Sequence, residues 1–344
     1  MELIVDIAPF TYRSGTDIRS VLERFNAAAR QIGCIVAEDG ALIGTVTDGD
    51  IRRGMLAGAV LEDPIDRCMN ATPFVLKEGE HPQPGASRRE FLPVVDASGR
   101  LLSIFVETLP TANLGPCLVM AGGFGSRMGD ATRHTPKPLL ELNGRPILDH
   151  ILERVEAAGH KSIYISTYYL SDKIEGFIES RSNSADVHIV NEAKKLGTAG
   201  AVGLLADAGD APLTMLNGDV VTNIDLKAFR DYHDRHALDA TIAVARYEHE
   251  IPYGVVRQSP EGLFTGIEEK PTVRHFVSAG IYCLSADVRS LVPKDVPMDM
   301  PELLNEARSL GMKVGLFPIH EYWRDVGRPS DLSRARDDMM SAPK

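Results

Sequence analysis

The sequence predicts an α/β protein, a mostly parallel sheet interleaved with helices, behind a smaller α+β unit. Three observations predict it. From Cys117 onward, strand-length apolar runs alternate with longer stretches whose apolar residues recur at helical spacing, the pattern of a parallel sheet with crossover helices. Before Leu109, two short units echo each other, each an apolar strand, a turn and a second apolar strand. Between these regions "LPTANLGP", Leu109 to Pro116, breaks the hydrophobic pattern with prolines, a glycine and small polar residues. The expected domains are residues 1–112 and 116–344.

In the first region, "DIRSVLERFNAAARQIG" carries Ile18, Val21, Leu22, Phe25 and Ala28 at helical spacing, with Gly33 as the expected stop. The hairpin "CIVAEDGALIGTVTDGD" follows from Cys34, turning at "EDG". Its echo, "LPVVDASGRLLSIFVET" from Leu92, turns at "DASG". The echo has no matching helix, because "KEGEHPQPGASRRE" is too short and holds Pro82 and Pro84.

In the second region "CLVMA" reads as a buried strand and "RPILDHILERVEAAG" as an amphipathic helix, with Pro146 at its first turn and Gly159 after its last. "SIYIST", "DVHIV" and "PLTMLNGD" are further strands. A helix spans Leu226 to His236, and the strands "ATIAVARY", "YGVVRQ", "LFTGIEE" and "SAGIYCLS" come next. The chain ends with the helix "MPELLNEARSLG", the strand "KVGLFPI" and a helix after Pro329. "HDRH", His233 to His236, has a histidine pair at i, i+3, and solvated surface is favoured over a metal site there.

The bulk numbers narrow the function classes. At 44% hydrophobic and 25% charged residues the chain is an ordinary globular sequence. A formal net charge of −11 argues against nucleic acid as a partner. Cys34, Cys68, Cys117 and Cys283 form no CxxC pair, which suits reduced thiols and speaks against a zinc site or disulfide framework. The start, "MELIVDIAPF", has no basic n-region or long apolar run, and no stretch reaches the ~20 apolar residues of a membrane span. The expectation is a cytoplasmic protein with no membrane partner.

"LVMAGGFGSRMGDATRHTPKPLLEL", Leu118 to Leu142, carries the chemistry. A dinucleotide fingerprint needs G-x-G-x-x-G running into a helix. Gly123 and Gly125 fit, but Met128 holds the third position, Gly129 comes one residue late, and Pro136 and Pro138 interrupt any helix. No Lys-Ser or Lys-Thr completes a Walker A loop. What remains is a glycine-rich loop whose N–H groups can approach an anion, with Arg127 inside it and Lys137 in an extended Pro-Lys-Pro. Two cations and a nest of N–H groups suit a triphosphate; a tight turn with incidental charges is the competing reading.

G-G-x-G-S-R-M followed by P-K-P-L resembles the signature of sugar-1-phosphate nucleotidyltransferases, and the resemblance runs from about Cys117 to the end. The N-terminal part resembles a pair of CBS units, the second degenerate. The fusion is similar to the CBS-linked glucosamine-1-phosphate guanylyltransferases of legionaminic acid synthesis. The resemblance implies a GT-A-like, Rossmann-like fold with a mostly parallel, mixed sheet, Mg2+ as cofactor, and a nucleoside triphosphate and sugar-1-phosphate as partners.

It further implies a role for particular residues. Ala121, Gly122, Gly123, Gly125 and Ser126 cradle the nucleotide, and Arg127 and Lys137 are the catalytic cations. Asp219, beside Gly218 in "LNGDVV", and Asp325 in "YWRDVGRPSDL" match the metal positions, although each alone reads as a turn or cap residue. "NEAKKLGTAGAV" matches the base-contacting segment, with Glu192, Gly197 and Thr198. A carboxylate at Glu192 accepts both Watson–Crick donors of guanine, whereas uracil and thymine offer one, so GTP is favoured; a solvated loop carboxylate is the alternative. Tyr253, Gly254, Glu269, Lys270, Ser278 and Gly280 match the sugar-phosphate segments, with Ser278 where the family usually has Asn.

In the first CBS-like unit Thr47 and Asp50 have the spacing of a [ST]-x-x-D adenine-nucleotide element, and Asp50 equally suits a helix N-cap for "IRRGMLAG". The second unit has Val106 and Leu109 there and lacks the element. A homo-oligomer, possible as a dimer through this part, is expected. The favoured reaction transfers GMP to a hexose- or hexosamine-1-phosphate, giving GDP-glucosamine and pyrophosphate. Mannose-1-phosphate guanylyltransfer and a uridylyl or cytidylyl equivalent are alternatives. A glycosyltransferase of similar fold and a CBS nucleotide sensor with a non-catalytic transferase domain also stay open; the first is disfavoured because Asp219-Val220-Val221 is not D-x-D.

Overall fold

The computed structural model describes residues 1–27, 31–82, 91–107, 114–205 and 208–341. The chain divides into two compact units, Met1–Ala112 and Asn113–Lys344.

In the first unit the sequence echo is a structural one. Thr11–Arg13 lies parallel to Ile32–Val36, which pairs antiparallel with Leu42–Thr47. Leu76–Lys77 likewise lies parallel to Phe91–Val95, which pairs antiparallel with Leu101–Val106, and Glu2–Ile4 adds to the far edge of that sheet. The helix Ile18–Ala27 buries Ile18, Val21, Leu22 and Phe25 as its spacing predicts. Residues 28–30, and with them the expected Ala28 contact, lie outside the described residues, as does most of the stretch 77–90 judged too short for a helix. Gly33 does not stop the helix. It sits within the strand Ile32–Val36, where a Cβ would lie 2.7 Å from the Tyr12 ring.

The second unit is built on a seven-stranded sheet, in the order Asp186–Asn191, Ser162–Thr167, Cys117–Met120, Leu213–Asn217, Thr272–Leu284, Ala240–Glu250, Val314–Ile319. Only Thr272–Leu284 runs against its neighbours; the remaining pairs are parallel. The sheet is therefore mostly parallel and mixed. Because side chains alternate across a strand, its two faces feed two cores. Cys117, Val119, Leu216 and Ile281 join Ile147, Leu148, Ile151 and Val155 of the helix Ile147–Ala158 on one side. Leu118, Leu213, Met215 and Leu284 meet Met300, Leu303 and Ala307 of the helix Met300–Ser309 on the other.

Gly159 ends its helix at φ 108°, as the sequence predicts. A helix at Ser171–Ser180 supplies the crossover between "SIYIST" and "DVHIV". Two short strands, Val220–Thr222 and Trp323–Asp325, are absent from the sequence reading because three residues carry no periodicity. The hairpin of Val255–Gln258 and Phe264–Glu268 stands as its own two-stranded sheet.

In "HDRH" Asp234 and Arg235 are exposed, but His233 is not solvated surface. His233 is 2% exposed with Nδ1 2.9 Å from Thr241 Oγ1, while His236 turns to the Tyr232 carbonyl at 2.9 Å. Burial on the core side of an amphipathic helix explains the difference, and the two rings face different partners.

Candidate active site

The carboxyl ends of Cys117–Met120 and Leu213–Asn217 lie side by side, where ligands of open α/β sheets bind. From the first strand the chain enters the glycine-rich loop, anchored by the Ala121 amide on the Ser166 carbonyl at 2.8 Å. Gly125 adopts a left-handed conformation at φ 62°, and a Cβ there would sit 2.8 Å from Thr132 Cγ2 and 3.2 Å from Lys137 Cβ. The 3-10 stretch Ser126–Thr132 breaks at Gly129, and the Thr132 hydroxyl donates back to the Gly125 carbonyl at 2.9 Å. The late glycine and the threonine thus close the loop on itself. Gly123, Ser126 and Arg127 remain exposed on it.

Pro-Lys-Pro is not fully extended. Pro136 is, but Lys137 opens a 3-10 turn, Lys137–Leu139, because Pro138 suits the second position of a helical turn. The turn buries Lys137 to 7% exposure and points its ammonium at Asp219 Oδ2, with which it forms an ion pair.

Asp219 and Asp325 are brought together by the backbone. Val220–Thr222 pairs antiparallel with Trp323–Asp325, placing Val220 opposite Asp325, and the Val326 amide donates to the Asp219 carbonyl at 3.0 Å. Burial and the neighbouring Asp219 charge raise the Asp325 carboxyl above the usual carboxylate range, against the pull of Lys137 and Arg127. A Cβ on Gly327 would lie 3.2 Å from Asp325 Oδ2 and 3.6 Å from Arg127 Nη1, so both groups border the same gap. Gly218 has no room for a side chain, since a Cβ would fall 2.5 Å from the Met120 carbonyl oxygen. Arg127, Lys137, Asp219 and Asp325 therefore form one electrostatic cluster.

Glu192 is buried rather than solvated, at 8% exposure. The Ser166 hydroxyl donates to Oε1 and the Leu196 amide to Oε2 at 2.9 Å. Oε1 also borders the glycine loop, 3.1 Å from where a Gly122 Cβ would be. Gly197 follows at φ 81°, and Thr198 is bonded to Asp299 through its amide at 2.9 Å and its hydroxyl at 3.2 Å.

The sugar-segment residues fall into two groups. Gly280, at φ 72°, packs on Asn217, with a Cβ position 2.6 Å from Asn217 Nδ2. The Ser278 hydroxyl lies 2.8 Å from Tyr282 Oη and accepts from the Gly280 amide at 3.3 Å, and Trp323 Nε1 donates to the Ala279 carbonyl at 2.9 Å. An irregularity in the register with Ala240–Glu250 falls at this point, the bend that re-aims a strand near a site. Tyr253, Gly254, Glu269 and Lys270 lie instead at the base of the exposed hairpin, just outside its two strands, where Gly254 approaches Glu269 Oε2 and Lys270 takes φ 46°.

Sequence reasoning missed Asn217, Trp323, Thr132, Ser166 and Asp299. Asn217 and Trp323 stand beside motif residues, which is a usable signal; Asp299 stands in no motif. It also missed an aromatic cluster at the loop, where the Phe124 ring lies 5.6 Å from Tyr168 and 5.3 Å from Tyr169.

In the first unit Thr47, not Asp50, is the N-cap, because the helix Asp48–Leu56 begins before "IRRGMLAG". Asp50 completes a capping box, accepting from the Thr47 amide at 2.8 Å, and pairs with Arg53. No group of three or more His, Cys, Asp and Glu able to hold a metal occurs among the described residues, and none of their helices is long and apolar enough to cross a membrane.

Residues 117–342 match the family model for nucleotidyl transferase, and residues 4–57 match that for the CBS domain. The mannose-1-phosphate guanylyltransferase catalytic subunit beta of Drosophila melanogaster is 30% identical over 226 residues, 62% of this chain and 60% of that protein. The mannose-1-phosphate guanyltransferase of Schizosaccharomyces pombe is 31% identical over 227 residues, 62% of this chain and 61% of that protein. The chain thus spans about 60% of the length of the curated relatives it matches. Among solved structures, HddC from Yersinia pseudotuberculosis complexed with GMP-PN aligns with TM-score 0.52 at 24% identity, covering 65% of this chain and 99% of that one. A putative glucose-1-phosphate thymidylyltransferase from Bacillus anthracis aligns with TM-score 0.53 at 21% identity, covering 67% and 96%. These two likenesses concern the fold.

Proposed function

The chain belongs to the nucleotidyl transferase family, and from that premise we propose that it transfers a nucleotidyl group, GMP from GTP, to a sugar-1-phosphate and releases pyrophosphate. The single observation that carries the reading is the cluster of Arg127, Lys137, Asp219 and Asp325 at the carboxyl ends of two adjacent parallel strands. Such a cluster suits chemistry in which several phosphate charges converge.

The sugar-1-phosphate oxygen attacks the α-phosphorus in line, and pyrophosphate leaves. Arg127, exposed on the glycine loop, balances charge on the triphosphate, while the loop amides of 121–126 hold the phosphates. Lys137 holds Asp219 in place and offsets its charge. Asp219 and Asp325 fit Mg2+ as hard oxygen donors held together by the Val220–Asp325 register, where burial and the Asp219 charge raise the Asp325 carboxyl against Lys137 and Arg127. When bound, the ion supplies charge neutralisation for the phosphates. Ser278, Gly280 and Trp323 form the wall beside Asn217 on which the sugar lies, and Glu269 and Lys270 take its hydroxyls and phosphate.

The base reading is tied to Glu192 through its surroundings. The Ser166 hydroxyl and the Leu196 amide each take one lone pair of the buried Glu192 carboxylate, and the acceptor capacity left on its two oxygens is what the two guanine donors would use. For the sugar, mannose-1-phosphate is favoured by the mannose-1-phosphate guanylyltransferases among the relatives, and glucosamine-1-phosphate, as in legionaminic acid synthesis, by the fused CBS unit. We place the protein in the cytosol, where four buried thiols, with Cys34 pushed up to about 12 and Cys68 to about 11, stay reduced. The N-terminal unit takes an adenine nucleotide at Thr47 and Asp50 or serves homo-oligomer formation.

Asp219→Ala tests the proposal. Pyrophosphate release falls to background while circular dichroism shows an intact fold; retained turnover would exclude the metal assignment.

A further inference from the structure

The segment 196–200, "LGTAG", does not set its own shape. A second segment, 296–299, sets it from the other side of the chain. The Met298 amide donates to the Leu196 carbonyl at 2.9 Å, and the Met298 carbonyl accepts from Ala199 at 2.9 Å and Gly200 at 3.1 Å. Gly197 lies so close that a Cβ would be 2.6 Å from the Met298 carbonyl oxygen and 2.7 Å from Asp299 Oδ1. All of these are main-chain contacts except one. Asp299 Oδ1 takes both the amide of Thr198 and its hydroxyl, and that hydroxyl accepts from the Met300 amide at 2.8 Å. Glu192 holds the start of the segment through the Leu196 amide, so the loop is pinned at two places by two carboxylates.

We propose that Asp299 is a positioning residue for nucleotide recognition, stapling Gly197 and Thr198 in the shape that receives the base. The inference rests on the proposed function, in which this segment lies against the nucleotide. Its physical ground is that hydrogen bonds to a charged acceptor are the stronger kind. The segment has no regular structure up to Gly200 and a left-handed glycine at position 197, and beyond the Glu192 contact at its start the side-chain bonds to Thr198 come from Asp299. Displacement of a binding segment by about 1 Å costs up to about a hundredfold in rate. The effect falls on the nucleotide and not on the sugar, because the staple touches neither Asn217 nor Ser278.

Asp299 also precedes the helix Met300–Ser309, with its amide donating to Glu302 Oε2 at 3.0 Å, so helix capping must be separated from loop shape. Steady-state kinetics of three full-length variants separates them. Asp299→Ala raises KM for GTP about tenfold, with KM for the sugar-1-phosphate unchanged. Asp299→Asn keeps an oxygen acceptor and returns most of the loss. Glu302→Ala removes the Glu302 half of the capping box and leaves the Asp299 carboxylate on Thr198, lowering Tm with KM for GTP unchanged. Should Asp299→Ala fail to fold, Thr198→Val removes the hydroxyl bridge and shifts KM for GTP in the same direction. An unchanged KM for GTP in Asp299→Ala, or equal KM shifts in Asp299→Ala and Glu302→Ala, overturns the inference. Calorimetric titration with GTP keeps the two readings apart. A wild-type protein that binds GTP but releases no pyrophosphate overturns the proposed function, and the staple is then decided by the ratio of dissociation constants in wild type and Asp299→Ala. A wild-type protein that binds no nucleotide overturns both.

Discussion

Asp325 lies directly opposite Val220 in a two-stranded antiparallel ribbon, and that register brings Asp325 to the residue after Asp219. Two carboxylates distant in sequence become neighbours through backbone pairing alone. Asp325→Asn keeps the shape and removes the charge, so it lowers turnover by about a hundredfold or more while leaving the urea midpoint equal to or above that of the wild type. The stability direction follows from the raised Asp325 carboxyl, whose ionised form is disfavoured in the fold. Pyrophosphate release and urea titration check the two halves.

The close approach of strand ends at the site leaves no room for a methyl group. Gly218→Ala sets a Cβ 2.5 Å from a main-chain oxygen of Met120, and Gly280→Ala adds a left-handed φ of 72° to a clash with Asn217. Each loses about 1–3 kcal/mol of stability by denaturant titration, with turnover falling further than stability alone accounts for.

Removing the Glu192 carboxylate strands two buried donors, the Ser166 hydroxyl and the Leu196 amide. Glu192→Ala therefore costs about 1–3 kcal/mol in urea unfolding. In kinetics it raises KM for GTP more than it lowers kcat, and Glu192→Gln is the milder of the two.

The difference between what the sequence disclosed and what it hid has a physical basis. Strands of the main sheet and the helix Ile147–Ala158 were legible because burial on a periodic face leaves a periodic pattern. The glycine-rich stretch was legible as a loop and not a continuing helix because Pro136 and Pro138 interrupt any helix. The ribbon that joins Asp219 to Asp325 was not, since strands of three residues have no period to read. Asp299 was invisible because it stands in no motif and its partner Thr198, legible in the L-G-T-A-G segment, is remote in sequence. His233 read as surface because "HDRH" is polar in composition, yet its ring faces the core and finds Thr241. Gly33 read as a helix stop because glycine has that use, whereas here it yields space to Tyr12.

Burial lowers the imidazoles of His160 and His233 below their ordinary value of 6.5. As pH falls through that value, the unfolded chain takes up protons that the folded chain refuses. Stability fully present above about pH 6.5 is thus lost toward the depressed folded values, by up to about 1.4 kcal/mol per pH unit for each histidine. Urea midpoints measured across this range show the slope, and His233→Asn makes it shallower.

The most direct measurement is a pyrophosphate-release panel in which GTP, UTP, CTP and ATP are each offered with mannose-, glucosamine-, N-acetylglucosamine- and glucose-1-phosphate, in the presence of Mg2+. Release is expected with GTP above all other triphosphates, with mannose- or glucosamine-1-phosphate as the preferred acceptor. UTP outperforming GTP would contradict the reading of the base pocket around Glu192, and silence across the whole panel would contradict the assignment of nucleotidyl transfer.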